Sequence, residues 1–299
     1  MIQYSVKEPT KWAREVKALG HEILVVYQPI TDNIVRKKFY ITALNVMSAN
    51  VLMKLAQDRG IQTKLHVDPN FPIDFNRNNA VDTAIDTYLA DYMFFMDTDQ
   101  TFPSDTLINL FEHISDKNPI VAGMYYKKNP DYAPVVGRYV DWTPEYKAVK
   151  GHLKSQGFVD RKGRQTLYWT PIHYFHKDKP FQADIIGAGC MLVKTSIFKK
   201  LKRPYFRYAY DPLLKDPALN KVSEDMYFCA QLKDAGIPIL IDPRVQCGHL
   251  TELEVNDEIC ENYRESALSV TKQKDPKKYD EIMGKLLDVR KEQEAWSGA

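Results

Sequence analysis

The residue pattern predicts an α/β protein with a mostly parallel central sheet flanked by helices, plus an irregular aromatic-rich insertion and a charged helical tail. Three observations carry this. Apolar runs of strand length alternate with helix-length stretches of helical periodicity between residues 21 and 124. One run, Tyr92 to Met96, has five apolar side chains in a row, as in a strand buried on both faces. Strand and helix in strict alternation make parallel strands joined by right-handed crossovers.

Taken in order, a peripheral amphipathic helix is expected around Trp12 to Leu19. A strand from His21 to Gln28 follows, stopped by Pro29. Residues 34–59 read as one long helix, with Ile41, Leu44, Met47, Val51, Leu52 and Leu55 at helical spacing and Gly60 at its end. Gln62 to Val67 is a second strand, closed by Asp68-Pro69-Asn70. A helix over 76–90 leads into the strand Tyr92 to Met96, and Ser104 to Ser115 is helical before a strand at Ile120 to Met124. The pattern breaks after Tyr125: residues 126–180 are rich in Lys, Arg, aromatics, Pro and Gly, and read as antiparallel strands or loops flanking the sheet. Regularity returns with a strand over Ala183 to Val193 that carries Gly187 and Gly189, then a short helix from Thr195. A helix from Ser223 to Gly236 and a strand from Ile237 to Ile241 complete residues 1–256, which read as one domain containing the 126–180 insertion. Residues 257–299, dense in Lys and Glu, form a helical extension.

At 299 residues, with 44% hydrophobic and 27% charged side chains, the chain can build a substantial core. A net charge of +2 gives no argument for a polyelectrolyte partner. Cys190, Cys229, Cys247 and Cys260 form no Cys-x-x-Cys pair, which argues against structural zinc and for reduced core thiols. The first residues lack the apolar core of a signal peptide, and no run approaches the roughly 18 apolar residues that span a bilayer. The expectation is a cytoplasmic protein with no membrane span.

The chemistry centres on Asp97-Thr98-Asp99, directly after the buried strand. Ligands of open α/β sheets lie beyond the carboxyl ends of such strands. Carboxylates at i and i+2 of an extended segment point the same way, and hard oxygen ligands suit Mg²⁺ or Mn²⁺. Capping of the next helix is the plain alternative. Ser223-Glu224-Asp225 puts two acids at a helix N-terminus, where they are also favoured electrostatically. His249 follows a strand and is either a ligand or a hydrogen-bonded histidine. Gly187 and Gly189 signal a close approach by a ligand or neighbouring chain, or a bulge.

In this order, the features resemble the GT-A class of nucleotide-sugar glycosyltransferases, especially those of glycosyltransferase family two. The residues concerned are Val25-Val-Tyr-Gln-Pro29, Arg77-Asn78, Asp97-Thr-Asp99, Gly187-Ala-Gly189-Cys-Met-Leu-Val193, Ser223-Glu-Asp225 and His249, across roughly residues 21–250. The resemblance implies a GT-A-like fold, a nucleotide diphospho-sugar donor and a divalent cation, Mn²⁺ with Mg²⁺ as the alternative. It implies that Asp99 holds the metal, that Asp97 contacts metal or ribose, and that His249 adds an imidazole. Tyr27, Gln28, Pro29 and Thr98 fall where the nucleotide binds. Arg77 either pairs with a phosphate or orients the acidic loop. Asp225 matches the general base, with Glu224 as the fallback, for transfer of one sugar with inversion.

Other side chains have two readings each. Lys127 and Lys128 either face the diphosphate or form a solvated basic loop. Trp142, Tyr168, Trp169 and Tyr174 make a sugar-stacking platform or pack an irregular region, and His173-x-x-His176 with Asp178 is taken as incidental. The Gln-x-x-Arg-Trp segment of processive synthases is absent, which favours single-sugar transfer. A nucleotidyltransferase is the rival enzyme, although Val25 to Asn33 lacks the glycines of a phosphate loop. A non-catalytic nucleotide-sugar-binding protein is the rival outside enzymes. The acceptor stays open among a glycan, a small molecule, a protein and a modified nucleic acid base.

Overall fold

A computed structural model describes residues 8–30, 37–69, 72–128, 132–139, 169–210, 221–251 and 254–296. The first half delivers the expected alternation. Helix α1 (Lys11–Ala18) precedes β1 (Glu22–Ile30); α2 (Lys37–Val46) and α3 (Ala49–Arg59) precede β2 (Ile61–Pro69). Helix α4 (Ile73–Asp82) runs on into a π-helical turn at Thr83–Thr87, and β3 (Tyr92–Met96) follows. Then come β4 (Gln100–Thr101), α5 (Thr106–His113) and β5 (Ile120–Met124).

The second half supplies β6 (Val136–Tyr139), β7 (Trp169–Pro171), β8 (Phe181–Ala183), β9 (Ile185–Ile186) and β10 (Cys190–Lys194). A short β11 (Ala209–Tyr210) pairs with β12 (Lys221–Val222). Helix α6 (Glu224–Asp234), β13 (Ile239–Gln246), β14 (Gly248–Leu250) and β15 (Glu254–Val255) lead to the terminal helices α7 (Asp257–Lys274) and α8 (Pro276–Trp296).

Seven strands form the central sheet in the order β2-β1-β3-β10-β5-β13-β8. The sheet is mostly parallel, with β10 and β8 running against their neighbours. Side chains alternate between two cores. Val25, Tyr27, Met93 and Phe95 pack with α1, α4 and α6 on one face. Leu24, Val26, Phe94 and Met96 pack with α2, α3 and α5 on the other. Each such fully buried side chain contributes roughly 1.5–3 kcal/mol, which is why β1 and β3 read as unbroken apolar runs.

Four expectations are corrected. The strand expected over Ala183 to Val193 is three pieces, β8, β9 and β10, and β10 inserts antiparallel between β3 and β5. Pro29 does not stop β1: it pairs in register with Asp68, beyond the last β3 partner at Tyr27, where a missing N–H breaks no central ladder. The helix expected over 34–59 is two, because Ser48 caps a new helix by accepting from the Val51 N–H at 3.4 Å. This resets the apolar phase. Phe39, Ala43 and Val46 are buried, whereas Ile41 and Leu44 are 48% and 53% exposed. Finally, Lys38–Arg59 is long and apolar enough, by length and composition, to cross a membrane. It is folded as two helices of 10 and 11 residues, each shorter than the roughly 20 needed to span.

Candidate active site

Strand β3 ends at Met96, so Asp97, Thr98 and Asp99 emerge at the carboxyl edge of the sheet. A cavity of about 750 Å³ opens there, and Pro29, Arg77, Asp97, Asp99, Asp225 and His249 share its walls. The antiparallel β10 brings its own start to the same edge: the Asp97 N–H donates to the Gly189 carbonyl at 3.0 Å. Helix α6 presents its first turn, fixed by the Ser223 hydroxyl accepting from the Met226 N–H at 3.4 Å, so Glu224 and Asp225 face the cavity.

At the back of this cavity lies Arg77 on α4, only 2% exposed. Its Nη2 donates to both oxygens of Asp97 at 3.0 Å, and its Nη1 donates to Glu224 Oε1 at 2.8 Å and to Asp225 Oδ1. One guanidinium thus joins three carboxylates from two distant stretches of chain. Of the two roles the sequence allows for Arg77, orientation of the acidic loop is the one these contacts perform.

Asp99 has different partners. Lys128 donates to its Oδ2, and His249 Nε2 lies 3.5 Å from the same oxygen. The other imidazole nitrogen, Nδ1, sits 2.6 Å from the Tyr126 carbonyl. A carbonyl only accepts, so Nδ1 carries a proton, and Nε2 is the nitrogen turned toward Asp99.

Environment separates the acids. Burial pushes Asp225 up to about 7, with Glu224 and Asp97 adding to the shift and Arg77 opposing it. Burial also raises Asp97 against the pull of Arg77. Burial alone would raise Asp99, but hydrogen bonds from His249 and Lys128 hold it well below the usual carboxylate range.

The geometry gathers most of the candidate residues and leaves two outside. Pro29, Thr98, Asp97, Asp99, Glu224, Asp225, His249 and Arg77 line the cavity. Tyr27 does not: it is fully buried against Phe95 and His66. Gln28 turns its amide to the sulfurs of Met96 and Met47, at 3.2 and 3.9 Å. Neither is a wall residue. Lys127 and Lys128 both are, and Lys127 lies 5.6 Å from the Trp169 ring centroid. Tyr174 is elsewhere, against α7 and α8, while Trp142 and Tyr168 lie outside the described residues.

Gly187 and Gly189 serve neighbouring side chains. A Cβ on Gly187 would sit 1.6 Å from the Tyr125 hydroxyl, and one on Gly189 would sit 2.0 Å from Gln100 Nε2 and 2.9 Å from Asp97 Oδ2. Tyr125 and Tyr208 are cavity-lining residues that sequence reasoning missed, and Gln100 packs behind them against Gly189. Tyr208 hydrogen-bonds Glu224, and Gln100 is fully buried with neither amide atom paired. The glycines were the visible sign of Tyr125 and Gln100; nothing in the sequence marked Tyr208.

Asp97 has both oxygens on Arg77, so of the three metal ligands the sequence suggests, Asp99 and His249 are the two left together. Among the described residues, no group of three or more His, Cys, Asp or Glu is drawn together for a metal. Two protein ligands suit an ion that completes its shell with substrate phosphates and water. Nε2 of His249, 3.5 Å from a carboxylate oxygen of Asp99, calls for a proton or a cation between them.

No family model matches the chain, and no curated protein matches it. Among solved structures it is similar to A197 from STIV, with a TM-score of 0.44 and 15% identity over 79% of this chain and 90% of that one. It is also similar to GalNAc-T7 with UDP, GalNAc and Mn²⁺, with a TM-score of 0.41 and 11% identity over 77% of this chain and 44% of that one. The inositol-1-phosphate CTP transferase from T. maritima gives 0.36 and 11%, over 82% of this chain and 97% of that one. All three TM-scores are low, and the likeness assigns neither family nor activity to this chain.

Proposed function

We propose that the protein is a metal-dependent glycosyltransferase that moves one sugar from a nucleotide diphospho-sugar to an acceptor hydroxyl, with inversion. The observation that carries this reading is convergence. Asp97, Asp99, Glu224, Asp225 and His249 come from three separate stretches of chain and line a single cavity beyond the strand ends. That is the crevice where open α/β sheets bind ligands.

Each side chain then has a task. Asp225 takes the proton from the acceptor hydroxyl as its oxygen attacks the anomeric carbon, and the nucleoside diphosphate departs from the opposite face. A carboxyl pushed up to about 7 is matched to proton transfer near neutral pH. Arg77 holds Asp225 and Asp97 in place. Lys127 and Lys128 supply positive charge for the diphosphate, while Pro29 and Thr98 meet the nucleoside. Asp99 and His249 would hold Mn²⁺ or Mg²⁺, which when bound supplies Lewis-acid stabilisation of the leaving diphosphate.

The test is nucleoside diphosphate release from a panel of nucleotide sugars with Mn²⁺. Asp225→Asn should lower kcat by about 10²-fold or more and leave KM for the donor little changed. Undiminished turnover in Asp225→Asn would remove the base from this account.

A further inference from the structure

Gln100 is the first residue of β4 and pairs with His249 of β14 across an antiparallel ladder. Its side chain turns inward, behind the wall of the acidic cavity, and is fully buried. Among the described residues, neither Nε2 nor Oε1 has a hydrogen-bond partner. A buried amide without partners costs stability that an apolar side chain of the same shape does not. Asp97 stands beside it. The point over Gly189 that a Cβ would occupy lies 2.0 Å from Gln100 Nε2 and 2.9 Å from Asp97 Oδ2. An amide donor and a carboxylate oxygen thus adjoin one small gap without bonding to each other.

The hold on Asp97 is also incomplete. One nitrogen, Arg77 Nη2, donates to both of its oxygens at 3.0 Å, while Nη1 serves Glu224 and Asp225. Arg77 Nε is buried and, among the described residues, unpaired. Asp97 therefore lacks the two-nitrogen fork that makes a guanidinium–carboxylate pair strong. A carboxylate has about four acceptor sites, so Oδ2 can take a donor from the Gly189 side.

We propose that Gln100 is a positioning residue whose Nε2–H takes Asp97 Oδ2 over from Arg77, which leaves the other oxygen available to a divalent ion at Asp99 and His249. This role rests on the metal-dependent reading of the cavity given above, and it removes a conflict within it. A carboxylate held at both oxygens by a guanidinium has to turn before it can serve a second cation. A neutral amide supports the turned carboxylate without adding positive charge beside the ion, and Arg77 keeps Glu224 and Asp225. Gly189 makes the exchange possible, because any side chain there would fill the gap in which the two groups meet.

The experiment compares wild type with Gln100→Met, an apolar side chain of similar length, by two readouts. Without added metal, thermal melts should show the variant more stable by about 2 °C or more, because the unpaired amide is gone. In a calorimetric titration with Mn²⁺ alone, the same variant should bind about tenfold more weakly, because the turned Asp97 has lost its donor. The opposite signs separate this role from simple packing, whose loss lowers the melting temperature. Mn²⁺ affinity equal to that of wild type, a lower melting temperature, or a variant that does not fold overturns the role and leaves the metal reading standing. No saturable Mn²⁺ binding by wild type up to about 10 mM, or binding that Asp99→Ala leaves intact, overturns the metal reading and this role with it.

Discussion

Arg77 is the residue on which the acidic site depends. It places one positive charge among three carboxylates, Glu224 buried and Asp97 and Asp225 half-buried, so its removal leaves negative charges facing one another. Breaking such a network costs about 3–5 kcal/mol. Arg77→Met should lower unfolding free energy by that amount in a denaturant titration. Arg77→Lys should recover only part of it, because a point charge cannot fork to Asp97 while also reaching Glu224 and Asp225. Asp225 makes a pH prediction at the same scale. Its folded value, about 7, lies above the ordinary carboxylate value, so protonation favours the folded state. The stability it contributes is complete at pH values below the unfolded value of about 3.9 and is lost as pH rises through about 7. Asp225→Asn should flatten the pH dependence of stability in that window. Asp99 is shifted the other way: its contribution is present above about 3.9 and is lost as pH falls toward its depressed folded value. Catalysis should run opposite to the Asp225 stability term, rising with pH through about 7 as the base is freed.

At the scale of elements, the strand pair β3–β10 shapes the site, and glycines let it close. Gly189→Ala would put a methyl 2.0 Å from Nε2 of the fully buried Gln100. Overpacking of this kind costs about 1–3 kcal/mol. Gly284, within α8, has nothing within 4 Å of its added Cβ. Gly284→Ala should stabilise by about 0.5–1 kcal/mol, and paired thermal melts of the two variants check both signs. The same elements explain what could be read in the sequence. β1, β3 and β5 were legible because burial on both faces writes an apolar run. The antiparallel direction of β10 was not, since Cys190-Met-Leu-Val193 is equally apolar whichever way the strand runs. The break at Ser48 was hidden because Ile41 and Leu44 continue a helical period that the folded chain leaves exposed. Asp97, Asp99, Glu224, Asp225 and His249 stood out because each follows or caps an element the periodicity had located. The Arg77 hub needs α4, α6 and the end of β3 to meet, and only the folded chain brings them together. Tyr27 and Gln28 sit near the end of β1 as expected, yet their side chains point into the core and onto methionines, a matter of pleat phase and packing.

In the molecule as a whole, a sheet edge, an acidic cavity and a pair of terminal helices are joined. Tyr126 connects them: its carbonyl fixes His249, and its hydroxyl reaches Asp257 at the start of α7. The central claim is that the cavity binds a nucleotide sugar through Asp99 and a divalent ion. Thermal stability should be measured against UDP, GDP, CDP and dTDP sugars, with and without Mn²⁺, in wild type and in Asp99→Ala. A ligand bound only by the folded state stabilises it by about 2.7 kcal/mol at 100 times its Kd. The account predicts a rise in melting temperature with one nucleotide family, dependent on Mn²⁺ and abolished in Asp99→Ala. A folded wild type that responds to none of these sugars, or an Asp99→Ala variant that responds as wild type does, would contradict it.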